Sequence, residues 1–215
     1  GILRLPDGGN IERLILMNDS IYGPLFPLAE TLQAAEAMAV DAFGITDSWE
    51  HGYHLQSYFV MFFPNALRSK AFNKFWSRFP NVNDKGWLIR NGEVKMSSVL
   101  AREKLKLGAM CPYWDVSRKL LEQIEDMDLG KKTTLSPAEV MYFTHIRNLI
   151  ILGRPSNPSH YYWDALIRDW KCPFIKRELL QINPVGIPRP WQWQELLREN
   201  TAYDTNLISR HLQSL

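Results

Sequence analysis

A chain of 215 residues, 46% hydrophobic and 22% charged, has the balance of an ordinary folded domain and the length to bury a sizeable core. Its formal charge of +2, with lysines and arginines scattered rather than gathered into a stripe, argues against a nucleic-acid partner. Two cysteines, Cys111 and Cys172, supply neither a disulfide framework nor metal-knuckle spacing, and no apolar stretch reaches the length of a membrane span. Free thiols in a reducing cytoplasm, with no secretory leader, are therefore expected.

In chain order, the apolar run Leu14–Met17 ends abruptly in Asn18, Asp19 and Ser20, which reads as a strand buried on both faces that carries a carboxylate to its end. Ligands bind at that edge of open α/β sheets, so Asp19 is a candidate oxygen ligand for a divalent cation. The alternative is an Asx residue that caps a turn or the helix expected to begin near Pro27 and run to Val40. Residues 43–46 predict a short strand, and 54–63 a longer one in which His54 and Gln56 share a face opposite Leu55 and Ser57. Pro64 opens a helix expected to reach Arg78.

The loop 85–92 leads into a predicted helix from Asn91 to Leu107, with Asn91 as its cap and Gly108 as its stop. Extended chain is expected over 109–115. Helices follow over 117–127, over 136–151 with Ser-Pro-Ala-Glu as its start signal, and from Asn157 to about Trp170. Residues 173–181 are ambiguous, and a last helix spans 191–213 with a break near 202–205. Strands early and helices late predict an α/β fold, with an α/β region over 1–130 and a helical extension over 131–215 packed on it.

Several blocks in one order carry a resemblance: ILMNDSIYGPLFPL, FGITDSWE, HLQSYFVMF, AFNKFW, NPSHYYWDALI and PFIKRELLQINP. Together they resemble the rhamnan-synthesis F family of bacterial polysaccharide-assembly proteins, over about Ile11 to His211. The resemblance implies part of an open glycosyltransferase-A-like sheet with a helical carboxyl-terminal extension. It also implies an inverting transferase that moves a sugar, rhamnose from dTDP-rhamnose in the first instance, onto a lipid-linked or growing polysaccharide such as a lipopolysaccharide O-antigen. The expected location is the cytoplasm, with peripheral association at the inner face of the cell membrane. Family members usually carry a nucleotide-binding segment before the Asn-Asp-Ser strand, where this chain has about ten residues, so it is expected to be the carboxyl part of such an enzyme.

Sugar transfer with inversion needs a base for the acceptor hydroxyl, stabilisation of the departing diphosphate, and a platform for both sugars. Glu93 is the candidate base, since a helix amino terminus would hold its carboxylate ionised, although a structural glutamate is favoured at the same place. Asp19, through Mg²⁺ or Mn²⁺, is the candidate for the diphosphate, with Asn18 and Ser20 beside it. His54 and Gln56 are candidate partners for sugar hydroxyls, Asp47 a second acid, and Trp49 a stacking surface. In the late block His160, and Lys176 in the last block, are candidates for donor phosphate; packing and surface pairing are the alternatives. The rival reading is a non-catalytic module that binds glycan or a partner subunit, in which the tryptophans matter more than the acids.

Overall fold

The computed structural model describes residues 11–127 and 135–215. The domain boundary expected at residue 130 lies outside the described residues, as do residues 1–10. In chain order the strands are β1 (Leu14–Met17), β2 (Ile21–Tyr22), β3 (Ala42–Ser48), β4 (His54–Leu55), β5 (Phe59–Phe62), β6 (Leu107–Cys111) and β7 (Ile175–Lys176). The helices of the first half are α1 (Leu28–Ala37), α2 (Pro64–Arg68), α3 (Lys70–Ser77), α4 (Lys85–Leu88), α5 (Lys95–Arg102) and α6 (Tyr113–Asp126). Those of the second half are α7 (Pro137–Ile151), α8 (Pro158–Tyr161), α9 (Trp163–Trp170), α10 (Arg177–Gln181), α11 (Trp193–Asn200) and α12 (Thr205–Gln213). The protein is thus an open mixed sheet flanked by helices, with a markedly helical carboxyl-terminal region, as its sequence pattern predicts.

Contacts divide the chain into two compact units, the first made by residues up to 18 together with 31–110, the second by 19–30 together with 111–215. In unit 1 the sheet order is β1-β5-β3-β4, with β6 also paired to β3. All seven residues of β3 are buried, so the central strand is β3 rather than the shorter segment 43–46. Against expectation β1 is not buried on both faces: alternate residues are open and Met17 is 63% exposed. The cause is its position, because among the described residues β1 pairs with β5 alone and forms the sheet's edge. Leu55, Val60, Phe62, Phe72, Met96 and Leu100 form the core beneath the sheet.

Four expected helices differ in the structure; the one expected over 117–127 begins at Tyr113, after Pro112 as its cap, so the extended chain expected over 109–115 ends at Cys111. The helix opened by Pro64 stops at Ser69, whose extended backbone lets its Oγ accept from the Phe72 amide and begin α3 afresh. The segment expected from Asn91 to Leu107 begins six residues earlier, at Lys85. It ends at Arg102, just before Lys104 takes a left-handed backbone (φ 61°), so Gly108 lies inside β6 and stops nothing. Asn91 is not a cap; it sits within a π-helical turn, Ile89–Val94, whose wider loop carries the Lys95 amide back to the Arg90 carbonyl. The helix begun by Asn157 is interrupted at Tyr162 (φ −115°, ψ 19°) between α8 and α9.

Unit 2 pairs β2 with β7 and packs Leu25, Trp163, Ile167, Leu179, Trp193, Leu197 and Ile208 into a second core. The start signal Ser-Pro-Ala-Glu forms the full capping box expected of it at α7. The ambiguous stretch 173–181 resolves into β7 and α10, and the break in the last helix falls at 201–204, between α11 and α12.

Candidate functional site

Unit 1 gathers polar side chains where the strand returning from β3 loses register. Between the Asp47–Leu55 pair and the Gly44–Val60 pair, β3 moves three residues while its partner moves five, so two extra residues bulge out near Gln56–Tyr58. The bulge corrects the expected alternation. Gln56 turns to Thr46, whose Oγ1 donates to Gln56 Oε1 at 2.6 Å and lies 2.7 Å from the Tyr58 hydroxyl. His54 and Ser57, expected on opposite faces, converge instead on Glu93.

Ser57 Oγ donates to Glu93 Oε1 at 2.6 Å, and His54 Nε2 stands 3.6 Å from Glu93 Oε2. His54 Nδ1 donates to the Gly52 carbonyl at 2.9 Å, because a carbonyl can only accept, and this leaves Nε2 to face the carboxylate. The His54 side chain is 4% exposed and that of Glu93 20%, so the pair is nearly dry yet open on one side. That opening is a cavity of about 180 Å³ lined by Ser57 and Glu93 among apolar walls, Leu16, Trp76, Phe79 and Met96. The indole nitrogen of Trp76 in this lining is buried with no hydrogen-bond partner among the described residues.

Glu93 lies inside the π-helical turn rather than at the expected helix amino terminus, and its carboxylate is fixed by the Ser57 hydroxyl instead. Asp47 is buried in β3, and Trp49 just beyond meets Tyr53 edge-on at 5.3 Å. Burial, with the Asp47 charge adding to it, pushes the Tyr53 phenol up to about 12. Burial also raises the Glu50 carboxyl, against the opposing pull of His51 and His54.

Asn18 stays with unit 1, where its amide donates to the Tyr58 carbonyl at 3.3 Å. Asp19 and Ser20 belong to unit 2, and there the β2–β7 ladder sets Ile21 opposite Lys176. Lys176 Nζ reaches Ser20 Oγ at 3.2 Å, while Arg177 donates to the Asp19 carbonyl at 2.8 Å and stands 3.6 Å from its carboxylate. The Asp19 side chain is 97% exposed. Next along the chain, Glu178 places Oε1 2.9 Å from Nε2 of the buried His160. Pairing in the sheet thus brings three of the expected residues, Asp19, Ser20 and Lys176, together with Arg177.

No group of three metal-ligating side chains occurs among the described residues. Asp19 offers a single carboxylate, which suits a cation such as Mg²⁺ only where substrate phosphates complete the shell. Ser57 is the member of this polar cluster that periodicity misses, because a register shift cannot be read from an alternating apolar pattern. The block HLQSYF carries its only trace in the sequence.

The site of unit 1 is thus a half-buried carboxylate bonded to one hydroxyl, with an imidazole 3.6 Å away. The family model described as rhamnan synthesis protein F matches residues 9–123, more than half of the chain, which therefore belongs to that family. The family ties it to bacterial polysaccharide assembly. The virulence protein VirA of Vibrio anguillarum is 26% identical over 180 residues, which cover 83% of this chain and 55% of VirA. An uncharacterized protein of Sinorhizobium fredii, y4gN, is 30% identical over 90 residues, 40% of this chain and 24% of that one. The chain spans about half the length of the VirA sequence that it matches. No solved structure matches it.

Proposed function

We propose that this chain takes part in inverting glycosyl transfer, moving a sugar from a nucleotide donor, dTDP-rhamnose in the first instance, to a growing cell-surface polysaccharide. The observation that carries the reading is the Glu93 carboxylate, gripped by Ser57 at 2.6 Å on the wall of a cavity and backed by His54. With Oε1 occupied by the Ser57 hydroxyl, Oε2 is the oxygen left to accept a proton from an acceptor hydroxyl as that hydroxyl attacks the anomeric carbon. The proton then rests beside His54 Nε2, which stabilises it there. Gln56 and Trp49 are assigned to sugar contacts and Asp47 to supporting them.

Within unit 2, Lys176 and Arg177 are assigned to the phosphates of a bound nucleotide, with His160 as a further contact. Asp19, supported by Asn18 and Ser20, would hold a divalent cation jointly with those phosphates. Such a cation neutralises phosphate charge. The acceptor is assigned to the cytoplasmic face of the membrane, which the protein would meet peripherally; no described helix is long and apolar enough to cross it.

The test is Glu93→Gln in the full-length protein, assayed for transfer. Loss of a general base lowers kcat by roughly 10²–10⁴-fold. A variant that keeps full transfer would remove Glu93 from catalysis and favour the glycan-binding or partner-binding module.

A further inference from the structure

A second cavity of unit 1, about 480 Å³ in volume, differs in character from the first. Its walls include Phe75, Phe79, Pro80 and Trp87, and the charged groups on its lining are Lys74, Arg78 and Lys95, with no carboxylate among the described residues. Lys74 is on α3, Arg78 caps that helix, and Lys95 opens α5, so the cations come from two elements and all three are exposed. The size falls in the range of sites that enclose an organic ligand, about 300–1,000 Å³.

The lining also decides what kind of anion fits. Its uncharged polar groups are the Asn91 amide, whose Nδ2 already donates to the Trp87 carbonyl at 3.2 Å, and the Trp87 indole N–H. A nucleobase buried there would lose its hydrogen bonds to water with few replacements. A hydrocarbon chain loses nothing, and aromatic walls gain contact with it. Phe79 also lines the cavity that holds Ser57 and Glu93, so the two cavities share a wall.

We propose that this groove binds a lipid phosphate: an apolar chain laid along Phe75, Phe79 and Trp87, with its phosphate or diphosphate among Lys74, Arg78 and Lys95. The proposal rests on the glycosyl-transfer reading for its role, which is to anchor a lipid-linked acceptor beside Glu93. The binding itself is measured apart from transfer.

The purified chain is titrated with farnesyl diphosphate, farnesol, inorganic diphosphate and dTDP by calorimetry, and separately with phosphatidylglycerol vesicles. Farnesyl diphosphate is expected to bind at least about tenfold more tightly than any of the other three soluble probes. The charge reversals Arg78→Glu and Lys95→Glu together should weaken it by a similar factor while leaving the melting temperature in place. Equal affinity for farnesol, or for inorganic diphosphate, overturns the proposal, since one half of the site is then missing. Tighter dTDP binding overturns it in favour of a nucleotide, and vesicle capture without farnesyl diphosphate binding in favour of surface adsorption. Glu93→Gln should keep the farnesyl diphosphate affinity, so failure of the groove and failure of the transfer reading show up separately.

Discussion

Ser57 and His54 decide what the Glu93 carboxylate can do. A free carboxylate at 20% exposure would rotate and solvate; one oxygen bonded to a hydroxyl at 2.6 Å leaves the other with a fixed direction. Ser57→Ala should therefore lower kcat by about tenfold, the worth of roughly one hydrogen bond of about 1.4 kcal/mol, with KM little changed. A rise in KM at constant kcat would instead make Ser57 a binding residue. Nearby, Tyr53 titrates late, at about 12 against the ordinary 10.0. Its folded value lies above its unfolded one, so the stability it adds is whole below pH 10.0 and drains away as the pH climbs toward about 12. Unfolding of Tyr53→Phe compared with the parent should show a difference that changes with pH only in that alkaline window.

At the scale of the element, α7 shows how a sequence signal becomes a joint between segments. Ser136 caps the Glu139 amide, and Glu139 Oε2 returns to the Ser136 amide at 2.8 Å and also accepts from Arg189 at 2.6 Å. Arg189 has a left-handed backbone (φ 53°), a strain offset by this bond to a nearly buried carboxylate. Burial pushes the Glu139 carboxyl up, but the Ser136 hydrogen bonds and the Arg189 charge outweigh it and hold it below 4.5. A lowered folded pKa means that the contribution is complete above 4.5 and is lost as the pH falls through the folded value. Glu139→Gln is expected to cost about 1–3 kcal/mol at neutral pH, and urea unfolding should show that difference shrinking below pH 4.5.

Local signals of this kind were legible in the sequence: the capping box, the Asn157 cap, the break between α11 and α12, and strands giving way to helices. The register shift at Gln56–Tyr58, the left-handed Lys104 and the π-helical turn were not, because each depends on what the segment packs against. Glu93 could be picked from its block, but its true anchor, Ser57, required the bulge. The Ser20–Lys176 contact spans most of the chain, and no periodicity announces it.

On the scale of the whole molecule, each unit closes its own hydrophobic cluster, with Leu55, Val60 and Phe62 in one and Trp163, Leu179 and Leu197 in the other. Gly44 tests that separation. It sits in β3 opposite Val60, and a Cβ there would lie 3.2 Å from both Cβ and Cδ2 of the fully buried Leu55. The Leu55 Cβ is tied to the backbone of β4 and cannot swing aside, so Gly44→Ala overpacks the core by about 1–3 kcal/mol. Hydrogen exchange resolved along the chain should then quicken in β3, β4 and β5, while the amides of α9 and α11 keep their protection. Equal loss of protection in both sets would mean that the two cores unfold as one cooperative unit.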